Sequence, residues 1–511
     1  MRYVGFSEYG HDANLAIIEE DGTVVYASAS ERYSGIKNDP LIDPDMWRLV
    51  NKDDHVTYAA YPPSIHQDFS KNIFNNRIIN SNIAEERVPV GHHLEYDTFN
   101  RHHLSHLFGA YATCPWDNDD DIISLSVDNC GEIEATLAKT PQNLWTRENE
   151  IQHLHPESLG AIYSAVTRGM GYTENRDEYI VMGLAAYGKP IGKLLDHLYD
   201  FYYFWKTEAG QEKLKERENP WESEWRQWPI KQYIDGKITR ISMYTQHLKG
   251  EGDFQTMADI AASVQYFFED EVLKIAKESR KYGSKLVYSG GCAQNVVANS
   301  KIRELFDDMF IPTAPHDGGN GLGAAARTWM EKTGGKRLKW SPYSGHNIER
   351  ELNPKEVAQY LVENRVCGVA NGKAEYGPRA LGNRSLIADV RYDVKDTVND
   401  IKRRHRFRPF APAILSEFAH KYFAGPMNEY MQYTADAKHD YSSVTHIDGT
   451  ARVQLVKPDC ESKIRQILEE YYELTGVPML LNTSLNIRNR PMVNTLEDAI
   501  EWEKEYKVKV F

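Results

Sequence analysis

The chain has 511 residues, of which 41% are hydrophobic and 26% charged, and a formal net charge of −14. That length exceeds one ordinary core and, at about 150 residues per domain, allows about three, which two large α/β lobes also satisfy. The acidic balance excludes indiscriminate attraction to nucleic acid but leaves room for a local basic groove, and no apolar run of about 18 residues is present to span a bilayer. Met1-Arg-Tyr-Val-Gly-Phe-Ser turns polar too early for the core of a signal peptide, so a cytoplasmic location is expected. Cys114, Cys130, Cys292, Cys367 and Cys460 form no CxxC pair and read as small buried apolar residues rather than a disulfide framework or a zinc site.

In chain order, Tyr3–Phe6, Ala13–Glu19 and Thr23–Ala27 predict short strands, the last two separated by the turn Asp21-Gly22. The segment Arg101–Tyr111 places His102 and His106 at i and i+4, so on a helix both imidazoles leave one face while His103 points elsewhere. Ile122–Asp128 reads as a strand ending in an acid. Ile260, Val264, Phe268, Val272 and Ile275 form one apolar stripe and predict a helix over Ala258–Lys281. The strand Lys285–Ser289, the turn Gly290-Gly291 and a helix follow. Lys339–Asn353, with Pro342 and Gly345, predicts the connection between lobes, dividing the chain into 1–345 and 346–511. No internal repeat or low-complexity tract is visible.

Each lobe carries its own candidate chemistry. His102 and His106, joined by Asp128 and by Asp317 of the glycine-rich segment Pro315–Ala324, make a two-His, two-carboxylate set suited to Fe(II), Mn(II) or zinc with open positions; a merely packed or solvated histidine pair is the plain alternative. Gly290 and Gly291, ahead of a helix with Asn295, and Gly318 and Gly319, after Asp317, offer backbone N–H groups to phosphates, or are simply tight turns. In the second lobe three polar blocks follow one another: Glu375–Ser385, Arg406–Pro412 and Leu481–Asn486. Arg379, Arg384, Arg406 and Arg408 supply rigid forks for a polyanion, and Asn482, Ser484 and Asn486 add amide and hydroxyl contacts. Arg406 and Arg408, flanked by Phe407, Pro409 and Phe410, read as buried and in need of an anionic partner, whereas Lys402–Arg404 also fits a solvated basic face.

Block for block, the chain resembles the O-carbamoyltransferases that decorate antibiotics, nodulation signals and some modified nucleosides. The resemblance runs through Gly5–Asp12, Ser30–Lys37, His102 and His106, Ser158–Tyr163, Glu178–Leu184, Ser289–Asn299, Asp317 and the three blocks of the second lobe. It departs at Asn38, where the family pattern has Lys-His-Asp, and at Leu485 in LNTSLN, where the pattern has Phe. The resemblance implies an actin-like ATPase lobe followed by a YrdC-like α/β lobe. It implies iron or a similar divalent metal on His102, His106, Asp128 and Asp317, with ATP, Mg²⁺ and carbamoyl phosphate as the further small molecules. Carbamoyl-adenylate would form beside Arg379, Arg406 and Arg408 and pass internally to an acceptor hydroxyl, with Lys37 contacting phosphate or carbamoyl. His11 is the candidate for deprotonating the acceptor, an ordinary turn or packing role being its alternative.

The acceptor stays open between the hydroxymethyl group of 5-hydroxymethylcytosine in DNA and a sugar or natural-product hydroxyl. The segment Gly188–Gly252, which interleaves Tyr202, Tyr203, Phe204, Trp205, Lys206, Trp221, Trp225, Arg226, Trp228 and Lys231, fits nucleobase stacking or plain helix packing. A tRNA threonylcarbamoyl-type enzyme and a non-catalytic actin-like ATPase are the rival classes. No membrane partner is expected, and a homodimer is compatible with the class.

Overall fold

The computed structural model describes residues 1–8, 11–59, 94–95, 102–128, 135–138, 151–153, 159–204, 207–215 and 252–511. The first lobe is built on two five-stranded sheets. In one, the antiparallel meander β1 (Arg2–Ser7), β2 (Asn14–Glu19) and β3 (Val24–Ala29) is extended by β4 (His55–Tyr58) and β5 (Leu94–Glu95), both running parallel to β1, in the order β3-β2-β1-β4-β5. In the other, the meander β6 (Ile122–Val127), β7 (Ala135–Ala138) and β8 (Ile151–His153) is extended by β9 (Lys285–Ser289) and β10 (Asp308–Phe310), parallel to β6, in the order β10-β9-β6-β7-β8.

Strand for strand, the two sheets have the same order and directions. This duplication defines the actin-like fold, and it exists without any repeat legible in the sequence. Pairing direction needs only short runs able to lie between layers, which unrelated side chains supply equally well. β1 is buried from Tyr3 to Ser7 and β6 along its whole length.

Between the sheets the helix His102–Thr113 crosses the helix Asn320–Thr333. A Cβ on Gly323 would lie 1.9 Å from the Ser105 carbonyl oxygen, so only glycine allows this approach. That contact sets the histidine face beside the turn Asp317–Gly319 that leads into the second helix. The predicted helix over Ala258–Lys281 is observed as Gly252–Ser279, starting six residues earlier and giving way to a short 3-10 turn at Arg280–Tyr282; its Ile260, Val264, Phe268 and Val272 enter the core.

The second lobe is also α/β. β11 (Tyr343–Ile348) pairs with β13 (Gly372–Glu375), and the main sheet orders β12 (Val366–Ala370), β14 (Arg384–Ala388), β20 (Met479–Ser484), β15 (Ala411–Leu415) and β19 (Gln454–Val456). The remaining strands, β16 (Phe423–Ala424), β17 (Ala435–Ala437) and β18 (Thr450–Ala451), form a small antiparallel sheet. The expected connection Lys339–Asn353 is therefore not a plain linker. The expected division at 345/346 falls inside β11, because the breakers Pro342 and Gly345 flank and punctuate a strand whose Tyr343 and Ile348 still pair with Glu375 and Gly372. Among the described residues no helix is long and apolar enough to cross a membrane. Cys114, Cys292 and Cys367 are buried free thiols, Cys460 is half-buried, and Cys130 lies outside the described residues.

Candidate functional site

The site begins at the crossing of the two helices. His102 and His106 project from successive turns, Asp128 follows the end of β6, and Asp317 opens the glycine turn; all four are buried. Asp128 Oδ2 lies 2.9 Å from His102 Nε2 and 2.8 Å from His106 Nε2, while Asp317 Oδ1 lies 3.1 and 3.3 Å from the same nitrogens. The two Nε2 atoms are 3.2 Å apart. A cation with bonds of about 2.1 Å places neighbouring ligand atoms about 3.0–3.4 Å apart, so the converging atoms already have the spacing of a coordination shell.

A second observation fits the same reading. Asn320 lies 3.3 Å from His102 Nδ1 through its amide nitrogen, while its buried Oδ1 has no partner among the described residues. Turning the amide over lets Nδ1–H donate to Oδ1, which frees Nε2 as a ligand and removes the orphaned oxygen at once. The donor set and its orienting amide therefore fit a divalent metal. Without one, burial would lower the His102 pKa, but Asp317 and Asp128 outweigh it and push it up to about 10. Both aspartates are held below the usual carboxylate range: burial raises them, and the histidines prevail.

His11 borders this cluster. Its Nδ1 is 2.9 Å from Asp12 Oδ2 and its Nε2 is 3.4 Å from Asp317 Oδ2. Burial alone would lower its pKa, yet Asp317, Asp12 and Asp128 push it up to about 9. With three carboxylates beside it, the His11 ring is favoured in its protonated form above the range of a free imidazole. Positive charge held between Asp128 and Asp317 would remove that pull. Lys37 reaches Glu31 Oε1 and Oε2 at 2.7 Å, and Asn38 donates to Asp12 Oδ1 at 2.6 Å.

The glycines do different work from that expected. The Gly290 N–H is spent on the Pro315 carbonyl at 2.8 Å and the Gly291 N–H on Asp128 Oδ1 at 3.0 Å, so both hold the metal-side carboxylate and its loop rather than standing open to a phosphate. Gly319 donates to the His316 carbonyl, while Gly318 lines the cavity. Asn295 caps the helix Val296–Arg303 through Ala298 N–H and exchanges amide bonds with Gln265.

From the histidine–aspartate cluster a cavity of about 350 Å³ runs into the second lobe, where Arg379, Arg404, Arg408, Lys402 and Ser484 form its wall. None of these cations makes an ion pair with a carboxylate among the described residues. Arg408 stacks 4.4 Å over the Tyr179 ring. Burial, with Arg408 adding to it and Tyr179 opposing, pushes Arg379 down to about 10; burial and neighbouring arginines hold Lys402, Arg404 and Arg452 well below their ordinary values. Arg452 Nε is buried without a partner among the described residues. Like charges crowded in a buried wall are costly unless an anion joins them.

Sequence reasoning assigned some of these residues wrongly. Arg406 does not line the cavity: it pairs with Asp400 at 2.7 Å and Asp396 at 3.3 Å on a solvent-facing edge, so its anionic partner is part of its own chain. Arg384, fully buried, spends its guanidinium on the carbonyls of His346, Asn371, Gly372, Asn383 and Asn494, so it braces the lobe and has no fork left for a ligand. Asn482 is likewise internal, donating to the Ala380 carbonyl and to Gln454 Oε1. Lys402 and Arg404 are no solvated face. Lys402 is 4% exposed, with its ammonium on the Ser484 carbonyl and on Asn486 O and Oδ1 at 2.9 Å. Arg452 carried no signal in the sequence, standing alone in Thr450-Ala-Arg-Val. Trp205, Lys206, Trp221, Trp225, Arg226, Trp228 and Lys231 lie outside the described residues; Tyr202 is buried in the first lobe, and Tyr203 and Phe204 are about 40% exposed.

An actin-like lobe with a buried histidine–aspartate cluster, opening into a cation-lined second lobe, defines a two-lobed class of α/β protein. Comparison with known proteins narrows the class. The family model described as Carbamoyltransferase N-terminus matches residues 55–326, and that described as Carbamoyltransferase C-terminus matches residues 358–511. Nodulation protein NolO of Bradyrhizobium diazoefficiens is 30% identical over 78% of this chain and 75% of its own. The uncharacterized protein sll1178 of Synechocystis sp. is 28% identical over 97% of this chain and 93% of its own, and nodulation protein U of Sinorhizobium fredii is 35% identical over 48% of each. Among solved structures, the activator of 2-hydroxyisocaproyl-CoA dehydratase from Clostridium difficile covers 66% of this chain at 12% identity with a TM-score of 0.31, too low to bear on the argument. The chain belongs to the carbamoyltransferase family, and is thereby a transferase.

Proposed function

We propose that the protein is an ATP-dependent O-carbamoyltransferase that moves the carbamoyl group of carbamoyl phosphate, through carbamoyl-adenylate, to an acceptor hydroxyl. One observation carries the reading: Arg379, Lys402, Arg404 and Arg408, which lack a carboxylate partner among the described residues, and the histidine–aspartate cluster of the first lobe line a single cavity. Arg379, Arg404 and Arg408 hold carbamoyl phosphate and the phosphates of ATP, with the Lys402 charge behind them, neutralising charge as it shifts between oxygens. Water takes the phosphoryl group of carbamoyl phosphate and leaves carbamate. A carbamate oxygen then attacks the α-phosphorus of ATP, forming carbamoyl-adenylate as pyrophosphate departs.

In the second stage the acceptor oxygen attacks the carbamoyl carbon, the bond to the adenylate oxygen breaks, and AMP leaves. His102, His106, Asp128 and Asp317 would hold a divalent metal, whose chemistry when bound is Lewis-acid polarisation of the carbamoyl or phosphate oxygen. His11 takes the hydroxyl proton at Nε2 in its neutral form, which requires the surrounding carboxylates to be compensated; Asp12 fixes the ring from the Nδ1 side. The buried position of the cluster keeps water from the labile anhydride.

The test is direct. Purified protein given ATP should release AMP and pyrophosphate only when carbamoyl phosphate is present. An acceptor panel of hydroxymethylated DNA, sugars and natural-product alcohols should then show one member gaining one carbamoyl group by mass spectrometry. ATP turnover indifferent to carbamoyl phosphate would overturn the reading. Modification of the DNA, rather than of the small alcohols, would assign 5-hydroxymethylcytosine as acceptor.

A further inference from the structure

Where the lobes meet beside the cavity, two buried groups of opposite charge each keep an atom without a partner among the described residues. Arg32, just past β3 in the first lobe, is 6% exposed; its Nη2 donates to the Glu375 carbonyl at 3.4 Å, and its Nη1 is buried and unpartnered. Glu375, at the end of β13 in the second lobe, is 3% exposed; its Oε1 accepts the N–H groups of Leu381 at 2.8 Å, Asn383 at 2.8 Å and Arg384 at 3.1 Å, while Oε2 is buried and unpartnered. Between these bonds runs the loop that carries Arg379. Its backbone lies directly on the first lobe: Gly377 has φ +121°, and a Cβ there would meet the Thr313 carbonyl oxygen at 2.3 Å.

We infer that Arg32 is a positioning residue that acts through Glu375, tying the Arg379 loop to the first lobe so that the two half-sites stay in register while the intermediate crosses between them. This rests on the two-stage reading above. Glu375 grips its own loop through one oxygen with bonds internal to the second lobe, so the loop keeps its shape without Arg32. Of the two side chains, Arg32 is the one that reaches across to the other lobe, beside the packing of Tyr376 and Gly377 on the first. Burying a guanidinium and a carboxylate with an unused atom on each is a poor way to gain stability, since packed apolar residues would do as well or better. Its use is orientation: the guanidinium reaches the loop at the carbonyl of the residue whose carboxylate shapes it. Burial weakens the Arg32 charge, and Glu375 is the foremost group opposing that loss.

The experiment compares Arg32→Ala, Arg32→Lys, Glu375→Gln and the Arg32→Ala/Glu375→Gln double variant. Glu375→Gln keeps an oxygen for the three N–H groups and the backbone carbonyl that Arg32 meets, but removes the negative charge that supports the Arg32 guanidinium. Carbamoyl-phosphate-dependent AMP release should stay within about threefold of wild type in both single variants, while carbamoylated product per AMP falls about tenfold as the intermediate is lost to water. The double variant should be no worse than the worse single one, and Arg32→Lys should recover part of the ratio. An unchanged ratio, additive losses, or a parallel fall of both half-reactions would overturn the proposal. If wild type releases no carbamoyl-phosphate-dependent AMP, the functional reading fails first, and calorimetry then decides on the joint. Splitting of a single wild-type unfolding transition into two in both single variants supports the tie, and a single unaltered transition refutes it.

Discussion

At the scale of single residues the second lobe separates arginines that serve a ligand from arginines that serve the fold. Arg379 and Arg408 face the cavity without a carboxylate, so each charge-assisted bond to a bound anion is worth about 1.5–3 kcal/mol and Arg379→Ala or Arg408→Ala should slow adenylate formation about 10- to 100-fold. Arg406, held by Asp396 and Asp400 at the surface, should tolerate alanine with about 0–1 kcal/mol lost from stability and adenylate formation within about twofold. Pyrophosphate release by the three purified variants checks both statements; an Arg406→Ala variant as impaired as Arg408→Ala would contradict the placement. Arg384→Ala should instead fail as a folding variant, because five backbone carbonyls would lose their donor inside the lobe. A soluble, cooperatively folded Arg384→Ala protein of wild-type stability would refute its bracing role.

At the scale of elements, a helix face and a glycine turn bring four ligands together, and removing one should empty the centre. His102→Ala and Asp317→Ala should lose bound metal by elemental analysis while still making carbamoyl-adenylate, and Asn320→Ala should weaken metal binding about 10- to 100-fold by releasing the His102 ring. The pH dependence follows from the same four groups. In metal-free protein the His102 pKa stands at about 10 against an ordinary 6.5, so its contribution to stability is whole below 6.5 and is lost as pH rises toward 10. Asp128 and Asp317 are held below their ordinary 3.8, so theirs is whole above that value and is lost as pH falls further. Chelator-treated protein should therefore melt highest between about pH 4 and 6.5 and lower at about pH 9, whereas metal-loaded protein should lose its advantage in acid, as the imidazoles protonate. A metal-free melting temperature that climbs steadily from about pH 6 to pH 9 would refute the sign.

Much of this centre was legible in the chain before any coordinates. The i, i+4 spacing fixes the shared face of His102 and His106, and a strand ending in Asp128 announces an acid at the C-terminal end of that strand. Residue type alone, however, could not separate Arg384 from Arg379, five positions apart in one block. Which guanidinium meets carbonyls and which meets a cavity depends on chain crossings at His346, Asn371 and Asn494, remote in sequence. The glycines misled for a related reason. Gly290 and Gly319 read as phosphate-loop residues, but one donates to the Pro315 carbonyl and the other to the His316 carbonyl. The sheet duplication was illegible because strand order depends on long-range pairing that no local pattern encodes.

For the whole molecule the decisive feature is that both half-sites open on one cavity while the first lobe's cluster is almost wholly buried. A mixed anhydride that hydrolyses readily gains nothing from leaving such a space, and acceptor attack gains from its confinement beside the cluster. Two variants crippled in different lobes should therefore fail to rescue one another. Arg408→Ala should keep an intact first lobe but make little adenylate; His102→Ala should make adenylate but lack the transfer centre. Mixed in equal amounts with ATP, carbamoyl phosphate and the identified acceptor, they should yield no more carbamoylated product than the better variant alone, while AMP from hydrolysed intermediate accumulates through His102→Ala. Recovery of product in the mixture would mean that the intermediate passes freely through solvent between molecules, and the shared cavity would then have no part in its transfer.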